Sequence, residues 1–374
     1  MRILFVASGL ALGGAERQIV LLSRECERLG HCVSIYTLTD DTPRLDELAG
    51  TRVEVVVDRK RLRLDPAVVL RLRRYIRAWR PDVVHGFLYD GDIYARLAAC
   101  GTRLPVLNSE RNDNYELSRV QLVGYRLTAL LCDGIVANSH AGARFAQRLH
   151  PLLRQEVHVV WNGIDLAEVD ARLQASRPAA QVFPGADLKR LCMVGAIKPQ
   201  KDYPLALRVM RRLVDRDPAW RLICVGDALS GQQGYKAQVL AECGRLGLEP
   251  FVKFVGHRRD VIEIIASSDL MLVTSLHEGF PNVLLEAMAS GTAVVSTDYS
   301  DVRLILSADQ IVGSRREGDL AETVLSCHAR RAELAMAQRR WVERHASASA
   351  SAPALLEAYA RYVAPFVVAF QESR

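Results

Sequence analysis

Short apolar runs of strand length alternate with longer stretches of helical period through nearly the whole chain, and this alternation limits the possible folds more than any other feature. Strand, helix and strand in that order build a parallel sheet covered on both faces. In the first half the runs fall at 2–7, 32–37, 53–57, 82–87, 104–107, 134–138 and 157–160, with helical patterns such as 15–29 and 68–79 between them. In the second half they fall at 190–195, 220–226, 251–255, 269–274 and 293–296. The halves repeat an architecture without visibly repeating a sequence. At 374 residues the chain exceeds one ordinary domain and suits two units of roughly 150–200 residues each.

Turn residues place the boundaries. Asn162-Gly163-Ile164-Asp165 and the polar stretch through Arg177-Pro178 and Pro184-Gly185 lack periodicity. The Ala/Ser alternation from His345 to Pro353 reads as a flexible connector. The spacing therefore predicts a first unit over 1–163, a linker over 164–187, a second unit over 188–353 and a last helix, 354–374, crossing back to the first unit. Open parallel sheets bind ligands at the carboxyl ends of their strands, where the site is expected.

Composition narrows the function classes. With 49% hydrophobic and 25% charged residues, disordered and fibrous chains are excluded. Lys+Arg 49 against Asp+Glu 43 is too small an excess for a nucleic-acid binder. The eight cysteines are scattered singly without a CxxC pair, so neither a zinc ribbon nor a redox motif is present. The apolar start passes for a signal peptide only until Gly13-Gly14-Ala15-Glu16-Arg17 interrupts it with charge, and no segment approaches the ~20 apolar residues of a membrane span. We expect a cytoplasmic chain. A basic run from Arg59, Lys60, Arg61 and Arg63 to Arg71, Arg73, Arg74, Arg77 and Arg80 interleaves with Leu62, Leu64, Leu70, Leu72, Tyr75, Ile76 and Trp79. It suits peripheral association of 59–80 with the anionic inner face of the cell membrane, and equally a surface helix packed on the first sheet.

The most specific stretch, His277-Glu278-Gly279-Phe280-Pro281-Asn282-Val283-Leu284-Leu285-Glu286, follows the run at 269–274. Pro281 suits the first position of a helix, where its missing N–H costs nothing. The amides of Asn282, Val283 and Leu284 then favour an anion. Glu286 lies about 6 Å further along the axis, and Glu278 precedes the helix. Two acids astride an amide nest suit a diphosphate with a hydroxylated sugar on each side. The alternative is a pair of solvated acids at a helix start, favoured by its dipole.

Framed as EGFPNVLLEAMASG, Glu278 and Glu286 resemble the signature of retaining glycosyltransferases of family 4, a family with the GT-B fold: two Rossmann-like α/β domains facing a cleft. It includes bacterial enzymes of lipid and polysaccharide assembly. Gly13-Gly14-Ala15-Glu16, Pro81-Asp82-Val83-Val84-His85, Asn162-Gly163-Ile164-Asp165 and Pro199-Gln200-Lys201-Asp202 after Val194-Gly195 are similar to further family motifs in the same order. The resemblance implies that Glu286 binds the nucleotide ribose and Glu278 hydroxyls of the transferred sugar, with Gly279 and Phe280 nearby. Lys201 would neutralise the diphosphate, the amides of Asn282, Val283 and Leu284 would cap it, and Gly14 would admit the donor. Lys201 and Glu278 are thus the catalytic candidates. Arg258, in Gly256-His257-Arg258, either frames the base or is an exposed basic turn. The family arginine is missing at Ala196, and Lys198 is the candidate replacement, although lysine lacks the bidentate fork.

His85, Arg111 and Asn112 follow or end first-unit strands and are acceptor-side candidates, with a structural histidine and an ordinary loop as the alternatives. Two DxD patterns raise a metal. Asp215-Arg216-Asp217 lies at the amino edge of its sheet and Asp90-Gly91-Asp92 opens a helix, so both are set aside. No metal or other cofactor is expected. Gly9 and Gly14 have P-loop spacing, but Ala15-Glu16 replaces the required Lys-Ser/Thr, and no GxGxxG follows the first strand. The expectation is a metal-independent transferase moving a sugar from a nucleotide-diphosphate donor, UDP-linked, to a glycan or lipid-linked acceptor. The rivals are a nucleotide-sugar 2-epimerase of the same fold and a non-catalytic sugar-nucleotide-binding protein.

Overall fold

The computed structural model describes residues 1–62, 64–111, 118–149, 156–175 and 182–363. Asn112, Arg63, Arg177-Pro178 and the end of the expected last helix, 364–374, lie outside them. The chain divides into two compact units, residues 1–163 with 348–374 and residues 164–347.

The first unit carries strands β1 (Arg2–Ala7), β2 (Cys32–Thr37), β3 (Glu54–Val57), β4 (Val83–Phe87), β5 (Val106–Glu110), β6 (Gly134–Ala137) and β7 (Glu156–Val159). All pair in parallel in the order β3-β2-β1-β4-β5-β6-β7. Its helices include α1 (Gly14–Arg28), α2 (Pro66–Trp79), α3 (Leu88–Ala99), α4 (Arg119–Thr128) and α5 (His140–Leu149). The central strands are apolar on both faces because each face is covered. Ile3, Phe5 and Ile35 pack with Ile19 and Leu22 on one side, while Leu4, Val6 and Val84 pack with Val68, Leu72 and Ile76 on the other. The basic helix α2 thus spends its apolar stripe on the core. Arg71 pairs with Asp58 at 2.8 Å and Arg73 donates to the Ala98 and Cys100 carbonyls, which favours the packed-helix reading of 66–79.

The second unit carries α6 (Leu166–Ala175), β8 (Lys189–Val194), α7 (Tyr203–Arg216), β9 (Trp220–Val225), α8 (Gln233–Arg245), β10 (Val252–Phe254), α9 (Val261–Ala266), β11 (Leu270–Val273), α10 (Asn282–Ala289), β12 (Ala293–Thr297), α11 (Val302–Ile305), β13 (Ile311–Val312), α12 (Glu317–Ala329) and α13 (Arg331–His345). Its parallel sheet runs β10-β9-β8-β11-β12-β13. Leu191, Leu222, Leu270 and Val295 form its main core with the inward faces of α7 and α12.

Two boundary expectations change. Residues 164–187 open with a helix rather than a linker: Asp165 accepts from the Glu168 amide at 3.0 Å, and Arg172 makes a forked pair with Glu263 of α9 at 2.7 and 3.1 Å. The supposed connector 345–353 is helical too, because α14 spans Ala348–Ala360 with Pro353 inside it. Alanine is the best helix former, and Ala348, Ser351, Ala352, Leu355, Ala358 and Tyr359 recur at helical spacing as its buried stripe. That stripe packs in the first unit's core, against α1.

Candidate active site

In each sheet the strand order reverses once, between β1 and β4 and between β8 and β11, and ligands of open α/β sheets bind at such switch points. The loops leaving β8 and β11 carry the residues picked out by sequence. Pro199–Lys201 forms one 3-10 turn after β8, and its last residue reaches Glu278 beyond β11, with Lys201 Nζ 2.6 Å from Glu278 Oε1. Both side chains are nearly enclosed, at 12% and 13% exposure. Sequence reasoning gave this lysine and this acid separate tasks; the structure makes them an ion pair. An ammonium carries three hydrogens, so Lys201 has donors beyond that bond.

Several bonds hold the two loops together. The Gln200 side chain donates to the His277 carbonyl at 2.7 Å, and the Leu276 amide donates to Gln200 at 2.8 Å. Thr274 Oγ1 donates to the Lys201 carbonyl at 2.7 Å. Arg315 spans both loops, pairing with Asp202 at 2.5 Å and donating to the Thr274 and Ser275 carbonyls at 2.9 and 3.2 Å. Ser275 Oγ donates to Glu278 Oε1 at 2.9 Å. Sequence reasoning missed Thr274, Ser275 and Arg315. Arg315 gives no local signal, since two of its partners are main-chain oxygens some forty residues away.

Two glycines make this proximity possible. Gly195 has φ +150, and a Cβ there would stand 2.8 Å from Lys201 Cε. Gly226, directly after β9, has φ +127 and would drive a Cβ to 2.1 Å from the Gly195 carbonyl oxygen. Any side chain at either position displaces the lysine or its loop.

At the start of α10, Pro281 takes the cap position, with φ −76 and ψ 116, and the first helical residue is Asn282, one place later than expected. The Leu284 amide is already used, donating to the Pro281 carbonyl at 3.1 Å. The Leu284 amide is therefore not available to the expected three-amide cradle, because the cap carbonyl closes a tight first turn. Glu286 is buried on α10 at 8% exposure. Phe280 is buried, and the Gly279 carbonyl accepts from Ser300 Oγ at 2.5 Å. Next to Ser300, the Tyr299 hydroxyl is buried, and burial together with the nearby charge of Glu278 keeps it protonated.

Lys198 precedes the 3-10 turn. Burial lowers its pKa and Lys201 lowers it further, while Glu278 opposes both, so Lys198 shares one electrostatic environment with the ion pair. Arg258 stands apart, exposed and held by Asp260 in a forked pair at 2.8 and 2.7 Å, which is the exposed basic turn.

In the first unit, Gly14 is the first residue of α1. His85, expected to face a cleft, is fully buried in β4 instead. It packs edge-on to Phe5 and Tyr359, shares a 2.5 Å hydrogen bond between Nδ1 and the Tyr359 hydroxyl, and keeps Nε2 without a partner among the described residues. Burial, reinforced by Arg111, pushes its pKa well below the usual range, so the ring is neutral. Arg111 donates to Ser109 at 2.6 Å and Asn162 at 2.9 Å, stacks over Phe87 and has Nη2 buried with no partner among the described residues. Burial lowers its pKa to about 10. Asn138 Oδ1, after β6, is also buried with no partner among the described residues.

The aspartates of both DxD patterns are engaged by side chains. Asp215 pairs with Arg211, Asp217 with Lys189, and Asp90 with Lys60, while Asp92 accepts from Tyr125 at 2.5 Å. Among the described residues no group of three His, Cys, Asp or Glu side chains could hold a metal ion. Nor is any described helix long and apolar enough to cross a membrane.

Two parallel-sheet units, the second with a lysine–glutamate pair and a helix start at its switch point, define the class: GT-B glycosyltransferases. Two family models match the chain, "Glycosyltransferase Family 4" over residues 12–168 and "Glycosyl transferases group 1" over residues 188–330. The chain belongs to this glycosyltransferase family, with its first unit of the Family 4 type and its second of group 1. Mannosylfructose-phosphate synthase of Agrobacterium fabrum is 26% identical over 331 residues, 76% of this chain and 71% of that protein. D-inositol 3-phosphate glycosyltransferase of Saccharomonospora viridis is 29% identical over 184 residues, 48% of this chain and 42% of that one. The crystal structure of Anabaena Alr3699/HepE in complex with UDP has the same fold, with a TM-score of 0.81, 21% identity, and 96% and 99% of the two chains covered. Nothing in these likenesses supports the 2-epimerase alternative.

Proposed function

We propose that the chain is a retaining, metal-independent glycosyltransferase that takes a sugar from a UDP-linked donor and passes it to a glycan or lipid-linked acceptor. The observation that carries this is the enclosed Lys201–Glu278 pair beside the start of α10, with Lys198 in its field and Glu286 buried one turn inside the helix. A departing nucleoside diphosphate gains negative charge as the glycosidic bond breaks. Fixed cations and helix-start amides stabilise that charge without reorganising at the moment of reaction. Lys201, with donors left over from its ion pair, meets the diphosphate, and Lys198 adds a second positive charge in place of the arginine absent at Ala196. Glu278, oriented by Ser275 and Lys201, accepts from hydroxyls of the transferred sugar, while Glu286 accepts from the ribose. UDP is favoured as the nucleotide because the structurally similar Anabaena protein binds it. None of these residues is placed as a covalent nucleophile, so a front-face displacement is the working mechanism.

Calorimetric titration with UDP-, GDP- and ADP-sugars, followed by donor hydrolysis without acceptor, tests the reading. Tight UDP binding with slow hydrolysis supports it, whereas preference for another base overturns the donor assignment. EDTA should leave turnover intact; loss of activity that Mg²⁺ or Mn²⁺ restores would refute metal independence.

A further inference from the structure

The switch point of the first unit holds a feature that the transfer chemistry does not use. A cavity of about 770 Å³ opens where the loops after β1 and β4 diverge, lined by Ser8 from the first loop and by Leu88 and Ile93 from the start of α3. Leu64, Leu97 and Val120 complete an apolar wall. Leu88 adopts φ 64, a left-handed conformation that a non-glycine residue takes only when its surroundings impose it. The size suits a small-molecule site.

One wall of the cavity is α4, and this helix turns an apolar face outward. Val120, Val123 and Leu127, with Leu130 in the turn that follows, are 84%, 57%, 66% and 69% exposed. Their spacing of three, four and three puts them on a single stripe. Val120 belongs to both stripe and cavity. On the opposite wall the loop before α2 presents Leu62 and Leu64, also more than half exposed. The charge left over is positive: Arg119 and Arg126 stand on α4 and Arg61 on the loop, whereas Arg59 pairs with Asp40 and Lys60 with Asp90 of the cavity lining. The α2 stripe is consumed by the core, so this is where apolar surface and positive charge coincide in the basic part of the unit.

We infer that α4 and the neighbouring Leu62 and Leu64 dock on an anionic lipid bilayer, and that the cavity between them admits the hydrocarbon chain of a lipid-linked acceptor. Insertion of four apolar side chains beside three arginines is the chemistry of an interfacial helix. The docking surface stands independently of the donor site; the acceptor role alone rests on the transferase reading.

Flotation with vesicles of equimolar phosphatidylethanolamine and phosphatidylglycerol tests the surface. The wild-type chain should float with these and not with pure phosphatidylcholine. The double variant Val123→Asp/Leu127→Asp, at exposed positions, should lose partitioning about tenfold or more while binding UDP as the wild type does. The cavity is tested with dansylundecanoic acid, whose fluorescence rises in apolar surroundings. Gly124 lines the cavity and a Cβ there meets open space, so Gly124→Phe should fill it, abolishing probe binding but retaining flotation. Undiminished flotation of the double variant overturns the surface, as does a wild-type dimer in sedimentation that the same variant dissociates, since a second copy would then cover the stripe. Probe binding unaffected by Gly124→Phe overturns the cavity. A wild-type chain that floats without binding UDP would leave the surface standing and remove the donor reading.

Discussion

In the second unit, the loops leaving β8 and β11 are bonded to each other through Gln200, Thr274 and Arg315, and their two charged residues already pair at 2.6 Å. In the first unit, Arg111 Nη2 after β5 and Asn138 Oδ1 after β6 are buried and have no partner among the described residues. A buried polar atom left unpaired costs about 1–3 kcal/mol, and on the proposed reading an acceptor hydroxyl reaching these atoms would offset that cost. On the proposed reading, the second unit holds its geometry ready for a charge that appears only in the transition state. The contrast is between loops already bonded to each other and strand ends whose polar atoms are unpaired among the described residues.

Four substitutions test this contrast, from the largest effect down. Lys201→Ala should lower kcat by about 10²–10³-fold, the usual loss when one preorganised transition-state donor is removed. Its melting temperature should change little, and turnover within twofold of wild type would break the comparison at its stronger end. Glu286→Ala removes a charge-assisted contact worth roughly 1.5–3 kcal/mol, so UDP affinity measured by calorimetry should fall about 10–150-fold.

The third concerns the first unit's pH response. Burial lifts Asp92 from 3.8 to about 7, outweighing Arg96 and the Tyr125 hydroxyl. The folded chain therefore keeps a proton that the unfolded chain gives up. This contribution to stability is complete below about pH 4 and is lost as pH rises towards about 7. Urea midpoints should fall across that window, and Asp92→Asn should flatten the fall. Last, Tyr359→Phe removes the hydroxyl from His85 and should cost about 0.5–1.5 kcal/mol of stability. UDP binding should be unaffected; a change there would show that the units are not energetically separate.

The parallel architecture was legible because each central strand is apolar on both faces and each helix keeps its stripe. β13 escaped, since Ile311 and Val312 alone are too short to show a period. Lys201, Glu278 and Glu286 were legible through the motifs around them, but the pairing of Lys201 with Glu278 was not, because it depends on how two loops far apart in sequence meet. The Ala/Ser run was misread because low-complexity composition resembles a tether, whereas in the fold its small residues let α14 lie close against α1. His85 was placed at a surface because strand ends usually reach one, and only the packing of Tyr359 from α14 reveals it as interior.

The return of α14 also sets an order of assembly. Chain leaves the first unit at Gly163, whose amide and carbonyl are both gripped by the Gln18 side chain at 2.8 and 2.9 Å. It re-enters at Ala348, just after Ile164 and Ser347 have met in a parallel bridge. During synthesis every residue of the second unit leaves the ribosome before α14 exists, so that unit can close its core while the first still lacks Leu355 and Tyr359. Until α14 arrives, the flank of the first unit that Leu355 and Tyr359 cover stays exposed on the nascent chain.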